Sequence, residues 1–453
     1  MRSHSRFRSA AVAAVAAVAA AACLAALGAC EGSDSHVDGP RGASAFGNYM
    51  AIGTGLSMGV QSGGVIYESQ LQAWPALLAH AAVPGSQFVV SDTIVNHVTA
   101  FRLPLLRTPG CQPPLVAPLS VAVDLAGVSI AAADSTCAGT TDTTTPPTNN
   151  VALAGASAWA AVNLTPRTVI NALTGFSAAD RARYPLVLGA TQSQVTAMRV
   201  RVPTFVSVEF GLSEVLGAAT TGLLVAATSY DQSAPYTYVP AAVFAPLFAA
   251  IADSVVLTNA KVVLLSVPKV SALYALRPAS ELAADSTELA TFGITVNANC
   301  SASPNFVFTG TLVPALAAHF AATGTMQALS CADVPGTADG ILTPADIATL
   351  DGVVDGMNAQ IQQLAQQNGW AFADLTSVYP PPVSTRTPYA AADQLTCLYP
   401  YGSLVSLDGV FPSAQGQAAI AAAVAGAIDA KYGFTIAIDT PSLTGITAPK
   451  LCP

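Results

Sequence analysis

The chain has 453 residues, a formal net charge of −9 at pH 7 and eight cysteines, and only 9% of its residues are Asp, Glu, Lys or Arg. The acidic balance and the lack of a basic run exclude nucleic acid as the expected partner. The low charge content has two interpretations, a surface that binds lipid or a partner and an Ala-rich composition without functional meaning, and we prefer the second.

The first 30 residues are typical of a bacterial export signal. Three arginines precede a stretch dominated by Ala and Val, which ends in Leu27-Gly28-Ala29-Cys30. This ending resembles a lipobox, in which the cysteine receives a lipid and becomes the mature N-terminus. We therefore expect residues 1–29 to be removed and Cys30 to anchor the protein to a membrane of the cell envelope, on its periplasmic or surface face. An uncleaved membrane span of about 20 residues is the alternative.

The rest of the chain divides into three parts. Residues 30–45 are rich in Gly, Ser and Asp and predict a flexible tether. Over residues 46–436, short β-branched runs alternate with helical stretches, a pattern that predicts an α/β fold with a parallel sheet. The alternation does not reset, so we interpret this part as one domain with insertions. Residues 437–453 are expected to be a tail joined to the domain by a disulfide.

Five elements have the clearest patterns. In chain order they are a strand at Asn48–Ile52, a strand at Thr204–Phe210, a strand at Lys261–Pro268, a helix at Pro344–Asn368 and a strand at Trp370–Leu375. The strands are short apolar runs, as in a buried parallel sheet. The helix has Thr343 as a predicted N-cap, proline at its first position and Gly369 at its end.

Six cysteines remain outside the export signal, an even number that favours disulfides in an exported protein. Six cysteines allow 15 connectivities, of which we predict the pairing of chain neighbours: Cys111 with Cys137, Cys300 with Cys331, and Cys397 with Cys452. The segments 136–150 and 300–331 are expected to be disulfide-stapled surface insertions. A metal site is the weaker alternative for these cysteines, because none of them are in a CxxC spacing and no histidine is close by. We expect no cofactor.

A glycine-rich turn follows the first predicted strand and reads Gly53-Thr54-Gly55-Leu56-Ser57-Met58-Gly59. It resembles the opening of the SGNH (GDSL) ester hydrolases, which read Gly-Asp-Ser-Leu with the serine as nucleophile. Gly55 stands at the nucleophile position, and a glycine has no side chain with which to attack an ester.

Three later segments resemble the remaining motifs of that family. Residues 150–156 contain Gly155, which would donate a backbone N–H to an oxyanion. In Gly211-Leu212-Ser213-Glu214, Ser213 replaces the family's Asn donor and Glu214 replaces its Asp. In residues 406–416, Asp408 is retained while Phe411 stands in the place of the histidine base.

The resemblance implies a three-layer, flavodoxin-like SGNH-hydrolase fold in which the nucleophile and the base are lost. A serine hydroxyl needs an imidazole to take its proton, so ester hydrolysis is not expected. We interpret the chain as a lipid-anchored protein that binds or scaffolds at the cell envelope, with an acyl or glycan group as the ligand. One alternative is an active esterase or lipase that uses Ser213 or Ser57 as a relocated nucleophile. The other is a purely structural envelope lipoprotein.

Phe411, Glu214 and Asp408 leave further alternatives open. Phe411 either fills the space of the lost imidazole, the interpretation we prefer, or forms an apolar floor for a binding groove beside Gly55. Glu214 and Asp408 would meet in the family's pocket, where paired carboxylates can share a proton, bind a cation or cleave a glycoside. The simpler alternative is that Glu214 faces solvent.

Three histidines outside the first 45 residues, His80, His97 and His319, are candidates for a relocated base. Each lies beside or within an apolar segment. We expect all three to be surface or packing residues.

Overall fold

The computed structural model of the chain describes residues 42, 44–62, 64–65, 67–83, 101, 103, 146–169, 178–229, 235–380, 388–396 and 400–438. The predicted export signal with Cys30, most of the tether and the predicted C-terminal tail from residue 439 lie outside these residues, as does His97. Four of the cysteines in the predicted disulfides lie outside them as well: Cys111, Cys137, Cys397 and Cys452.

Nine strands occur in the described part of the chain. They are β1 (Tyr49–Gly53), β2 (Phe205–Glu209), β3 (Lys261–Leu265), β4 (Leu276–Pro278), β5 (Ile294–Val296), β6 (Phe306–Phe308), β7 (Gln327–Leu329), β8 (Ile341–Leu342) and β9 (Ala371–Ala373).

Fourteen α-helices occur in the same residues. They are α1 (Gly55–Met58), α2 (Tyr67–Leu71), α3 (Trp74–Ala82), α4 (Ala158–Asn163), α5 (Ala178–Val187), α6 (Gln194–Val200), α7 (Ser213–Thr221), α8 (Ala241–Val256), α9 (Ala279–Ala284), α10 (Ser286–Thr291), α11 (Thr309–Thr323), α12 (Pro344–Asn368), α13 (Ala391–Leu395) and α14 (Ala414–Tyr432). Within the described ranges, none of the helices combines the length and the apolar character that crossing a membrane would require.

The main sheet is parallel, with its strands in the order β1, β2, β3, β9. Met50 lies opposite Val206, and Val206 lies opposite Val262. All five residues of β1 and all five of β2 are buried. Because successive residues of a strand point to opposite faces, both faces of the sheet must be covered. The prediction of an α/β fold with a buried parallel sheet is confirmed.

A fifth segment, residues 149–153, runs parallel to β1 along its other edge. Val151 donates its N–H to the carbonyl of Ala51 at 2.9 Å, and Leu153 donates to the carbonyl of Gly53 at 3.1 Å. When the five parallel segments are numbered by their order along the chain, they lie across the sheet in the order 2-1-3-4-5. This order is found in doubly wound sheets. In such sheets ligands bind at the carboxyl ends of the strands, which here include Gly53 of β1 and Glu209 of β2.

Helices contact the sheet and one another in two groups. The C-terminal helix α14 packs on β9 and β3 and against α3. The long helix α12 also contacts β3 and β9, and it packs against α8, which in turn packs against α4 and α6.

Helix α12 has the bounds that the sequence predicts. The Thr343 side chain accepts a hydrogen bond from the N–H of Asp346 at 3.2 Å, and Asp346 accepts one from the N–H of Thr343 at 2.9 Å. Gly369 ends the helix with φ of 67°, a left-handed conformation that glycine adopts without strain. Both ends are thus set by local side-chain and backbone chemistry.

The segment between β3 and β9 carries its own small sheets. Strands β4, β6 and β8 form an antiparallel sheet, and β5 pairs with β7. The predicted Cys300–Cys331 disulfide is confirmed. Both cysteines are buried together with Val307 and Phe308, whereas Ser301, Ala302 and residues 321–326 are exposed, so the segment is held to the core by its disulfide and lies partly at the surface. The described end of the other expected insertion, residues 148–150, is buried as well.

Candidate functional site

The turn after β1 is a short helix at the carboxyl edge of the main sheet. The Thr54 side chain accepts a hydrogen bond from the N–H of Leu56 at 3.3 Å and so caps α1. Gly59 ends α1 in the left-handed conformation, with φ of 87°. A Cβ atom at Gly53 would lie 2.8 Å from Ser57 Oγ and 2.9 Å from the carbonyl oxygen of Glu209, so this position has no room for a side chain.

Phe411 closes the space beside Gly55. A Cβ atom at Gly55 would lie 2.9 Å from Phe411 Cε1 and 2.9 Å from Val60 Cγ2. Real Cβ atoms essentially never come closer than 3.0 Å to another heavy atom. The ring is partly buried and packs on the main core. The structure thus brings Gly55 and Phe411 into contact, and the aromatic ring fills the space that a side chain at position 55 would need.

Asp408 stabilises the loop that carries Phe411. Its Oδ1 atom accepts the N–H groups of Val410 at 2.8 Å and of Phe411 at 2.7 Å. The Tyr379 hydroxyl donates to the carbonyl of Val410 at 2.8 Å. Burial raises the pKa of Tyr379 well above its usual value, and the nearby Asp408 carboxylate raises it further, so the hydroxyl keeps its proton. The residue that would orient a histidine instead orients its own loop.

A buried carboxyl group, Glu209, ties the end of β2 to the turn after β1. Its Oε2 atom accepts the N–H of Thr54 at 3.0 Å and the hydroxyl of Ser57 at 2.9 Å, and its Oε1 atom accepts the Thr54 hydroxyl at 2.9 Å. Glu209 is only 3% exposed. Burial raises its pKa to about 7, although the hydrogen bonds from Thr54 and Ser57 lower it in part.

The role of Glu209 was not predicted, although the residue lies in a predicted buried strand. The signal was an ionisable residue in an otherwise apolar run, since such a group needs hydrogen-bond partners when it is buried. The same contacts define the position of Ser57. Its side chain is fully buried and its hydroxyl is donated to Glu209.

Two glutamine side chains hold the turn from neighbouring helices. Gln194 of α6 accepts the N–H of Gly53 at 2.9 Å. Gln417 of α14 donates to the carbonyl of Leu56 at 3.2 Å and accepts the N–H of Trp74 at 2.9 Å. Both glutamines are buried, so these bonds are made away from water and keep the turn in one conformation.

Ser213 and Glu214 begin helix α7, where the resemblance places them. Ser213 is half-buried. Glu214 is only 1% exposed, so the interpretation that it faces solvent is wrong. Its Oε1 atom accepts the N–H of Ala158, the first residue of α4, at 2.6 Å. A carboxylate at this place is favourable because helix N-termini carry a partial positive charge.

Gly155, His80 and His319 are the other predicted site residues in the described part of the chain. Gly155 is exposed, and its φ of 74° is in the left-handed region. His80 is exposed in the last turn of α3, and His319 of α11 has its Nδ1 atom 3.3 Å from the hydroxyl of Thr323. In the parts of the chain with described structure, no three His, Cys, Asp or Glu residues are grouped to hold a metal ion.

A cavity of about 510 Å³ lies beside the segment that follows β3. Its lining includes three charged residues, Arg277, Glu281 and Asp285, and the apolar side chains of Phe306, Ile347 and Tyr389. This cavity was not predicted from the sequence. The available signal was a group of three charged residues, Arg277, Glu281 and Asp285, within nine positions of a chain that carries few charges.

No family model and no curated protein matches this chain. Among solved structures, the chain is similar to the crystal structure of a protein from Parabacteroides merdae that is provisionally described as a GDSL-like lipase. The two share 10% sequence identity with a TM-score of 0.29, and the match covers 84% of this chain and 95% of that chain. At these values the similarity carries no argument about activity, and the α/β fold with its parallel sheet rests on the observed strands and helices.

Proposed function

We propose that this chain is a binding or scaffolding protein of the cell envelope whose fold resembles that of the SGNH hydrolases but which does not hydrolyse esters. One observation carries the proposal. The ring of Phe411 occupies the space into which a side chain at Gly55 would extend. The two positions that the family uses for nucleophile and base are therefore packed against each other, with no room left for an ester carbon between them.

The chemistry of ester hydrolysis supports this proposal. Attack by a serine requires a hydroxyl and a positioned imidazole that removes its proton. Gly55 supplies no hydroxyl, and the ring of Phe411 has no atom that accepts a proton. The Oδ1 atom of Asp408, which would orient the imidazole, accepts two backbone N–H groups of its own loop.

An esterase with a relocated nucleophile is the alternative function. Ser57 is the weaker candidate because its hydroxyl is fully buried and is donated to Glu209. Ser213 is half-buried at the start of α7 and therefore stays the residue to test.

The proposed location rests on the sequence of the first 30 residues, where Leu27-Gly28-Ala29-Cys30 resembles a lipobox. The test is metabolic labelling of cells with an alkyne fatty acid. We expect the parent protein to be labelled and Cys30→Ala to lose the label. A labelled Cys30→Ala variant, or an unlabelled parent, would remove the lipid anchor from the proposal.

The test of the proposed activity is a short-chain ester assay with p-nitrophenyl butyrate. Four proteins are compared: the parent, Gly55→Ser, the double variant Gly55→Ser with Phe411→His, and Ser213→Ala. We expect the parent to be indistinguishable from the uncatalysed reaction. Gly55→Ser alone should also be inactive because its new side chain meets the Phe411 ring, whereas the double variant removes that ring and adds an imidazole.

Turnover by the parent would overturn the proposal, and its loss in Ser213→Ala would identify the relocated nucleophile. Activity confined to the double variant would support it most strongly, because the missing groups would then be the only obstacle to catalysis. If neither the parent nor the double variant hydrolyses the ester, the parent still lacks ester hydrolysis. The residues around the site must then also differ from those of an active enzyme.

A further inference from the structure

The cavity beside the segment after β3 has the size of a small-molecule site. Its volume of about 510 Å³ is within the usual range of ligand pockets, which runs from about 300 to 1,000 Å³. Phe306, Ile347 and Tyr389 supply apolar surface, and the charged groups of Arg277, Glu281 and Asp285 lie among them. A largely apolar wall with a few charged groups is the usual composition of a site that orients a small organic ligand.

The arginine of the cavity is paired with a carboxylate of the same wall. The side chain of Arg277 is 1% exposed, and its Nε atom lies 2.7 Å from Glu281 Oε2 in an ion pair. Its guanidinium also lies 6.0 Å from the centre of the Tyr389 ring. An incoming anion would therefore meet an arginine that is engaged by a carboxylate.

The negative charge of Asp285 is not compensated in the same way. Its Oδ2 atom is buried and, among the described residues, has no hydrogen-bond partner. Burial raises the pKa of Asp285, the carboxylates of Glu288 and Glu281 raise it further, and Arg277 lowers it. A buried oxygen without a donor, close to two other carboxylates, is costly unless a cation is placed beside it.

We propose that this cavity binds a small organic cation, with a protonated amine at Asp285 and an apolar body against Phe306 and Tyr389. An ammonium group supplies N–H donors for the aspartate and a positive charge that offsets the repulsion among Asp285, Glu281 and Glu288. The apolar body removes aromatic and aliphatic surface from water.

This inference deepens the proposed function, because it assigns a ligand class and a site to a chain that acts by binding. Its geometry is separate from Gly55 and Phe411. The two proposals therefore fail in different assays: ester turnover by the parent overturns the proposed function, and the binding experiment below decides the ligand site.

The experiment is calorimetric titration of the full chain with three probes that share a phenyl group and differ in charge: 2-phenylethylamine, 2-phenylethanol and 3-phenylpropionate. Two variants test the site. Asp285→Asn removes the charge while keeping the shape, and Ala284→Trp places a large side chain at an exposed residue that lines the cavity. Asp253→Asn, which removes one carboxylate from the exposed part of α8, is the matched control.

We expect the amine to bind at least about 10-fold more tightly than the alcohol, as one charge-assisted hydrogen bond allows. Asp285→Asn should remove this preference, Ala284→Trp should abolish binding, and the control should leave it unchanged. Thermal melting establishes whether each variant is folded. If Asp285→Asn is not folded, Ala284→Trp alone tests whether the ligand binds in this cavity. Equal binding of amine and alcohol, tighter binding of 3-phenylpropionate, or no binding of any probe overturns the proposal.

Discussion

The ring of Phe411 lies so close to Gly55 that a methyl group on that glycine would fall 2.9 Å from the ring atom Cε1. The loop that holds the ring is fixed from two sides, by the Asp408 side chain and by the Tyr379 hydroxyl. The ring can therefore make room only by turning away from the core on which it packs. The packing of the two residues can therefore be tested by measuring how substitutions change the free energy of unfolding.

Gly55→Ala should destabilise the folded protein by about 1–2 kcal/mol, since overpacking a filled site forces neighbouring side chains to shift. Adding Phe411→Ala should make the alanine at position 55 less costly, because one of the two obstructing side chains is gone while Val60 Cγ2 still lies 2.9 Å from the added methyl group. The measurement is a double-mutant cycle of unfolding free energies in urea. Additive effects of the two changes would contradict direct packing.

Gly426→Ala is the matched control for this cycle. Gly426 lies on the exposed face of α14, and nothing lies within 4 Å of the Cβ atom that alanine would add. Because alanine has a higher helix propensity than glycine, this change should stabilise the protein by about 0.5–1 kcal/mol. The two glycine-to-alanine changes are therefore expected to have opposite signs.

Asp408 should tolerate replacement by asparagine but not by alanine. Asparagine keeps an oxygen that can accept the N–H groups of Val410 and Phe411, whereas alanine leaves both without their partner. We expect Asp408→Ala to cost about 1–3 kcal/mol and Asp408→Asn clearly less, as measured by urea unfolding. Equal losses in the two variants would show that the charge of Asp408, and not its acceptor geometry, stabilises the loop.

Glu209 should make stability fall as the pH rises towards neutrality. Burial raises its pKa from 4.5 to about 7, so the folded protein holds this proton more tightly than the unfolded chain does. The stabilisation of the folded state by this bound proton is fully present below about pH 4.5 and is lost as the pH rises through about 7. A change of this size corresponds to a free energy on the order of 3 kcal/mol.

The measurement is the free energy of unfolding from pH 4.5 to pH 8 for the parent and for Glu209→Gln. The glutamine variant should lack this part of the pH dependence, whatever its stability at a single pH. Asp253→Asn, a change at an exposed carboxylate, should keep the slope of the parent. Parallel curves for the parent and Glu209→Gln would show that Glu209 does not titrate in this range.

Removal of the Cys300–Cys331 disulfide should cost about 3–4 kcal/mol. The two cysteines are separated by 31 residues, and a crosslink across a loop of this length restricts the unfolded chain by about that amount. The double variant Cys300→Ala with Cys331→Ala should therefore unfold at lower urea concentration under oxidising conditions. An unchanged midpoint would show that the segment is stable without the crosslink.

The parts of the fold that were predicted correctly have local causes. Helix α12 begins at Pro344 and ends at Asn368 because the Thr343 cap and the glycine at position 369 act on their own neighbours. Strands β1, β2 and β3 are apolar runs buried on both faces, so their pattern does not depend on knowing their partners.

The parts that were missed depend on contacts between distant segments. Strands β4 to β8 are only two or three residues long, too short to show a period. Glu214 was expected near Asp408 or in solvent; its carboxylate is buried and accepts the N–H of Ala158 at the start of α4, a partner that the sequence around Glu214 does not reveal. The same holds for Glu209, whose partners Thr54 and Ser57 lie about 150 residues earlier.

The bonds from Gln417 also set the order in which this protein can fold. Gln417 lies 361 residues after Leu56 and 343 residues after Trp74, the two residues whose backbone it binds. The turn at the end of β1 cannot reach its final state before the C-terminal helix has been synthesised and has docked. Contacts of such separation are slow to form because large loops must close first. We therefore expect the turn after β1 to become protected from proteases later than the paired strands β2 and β3 when the protein refolds.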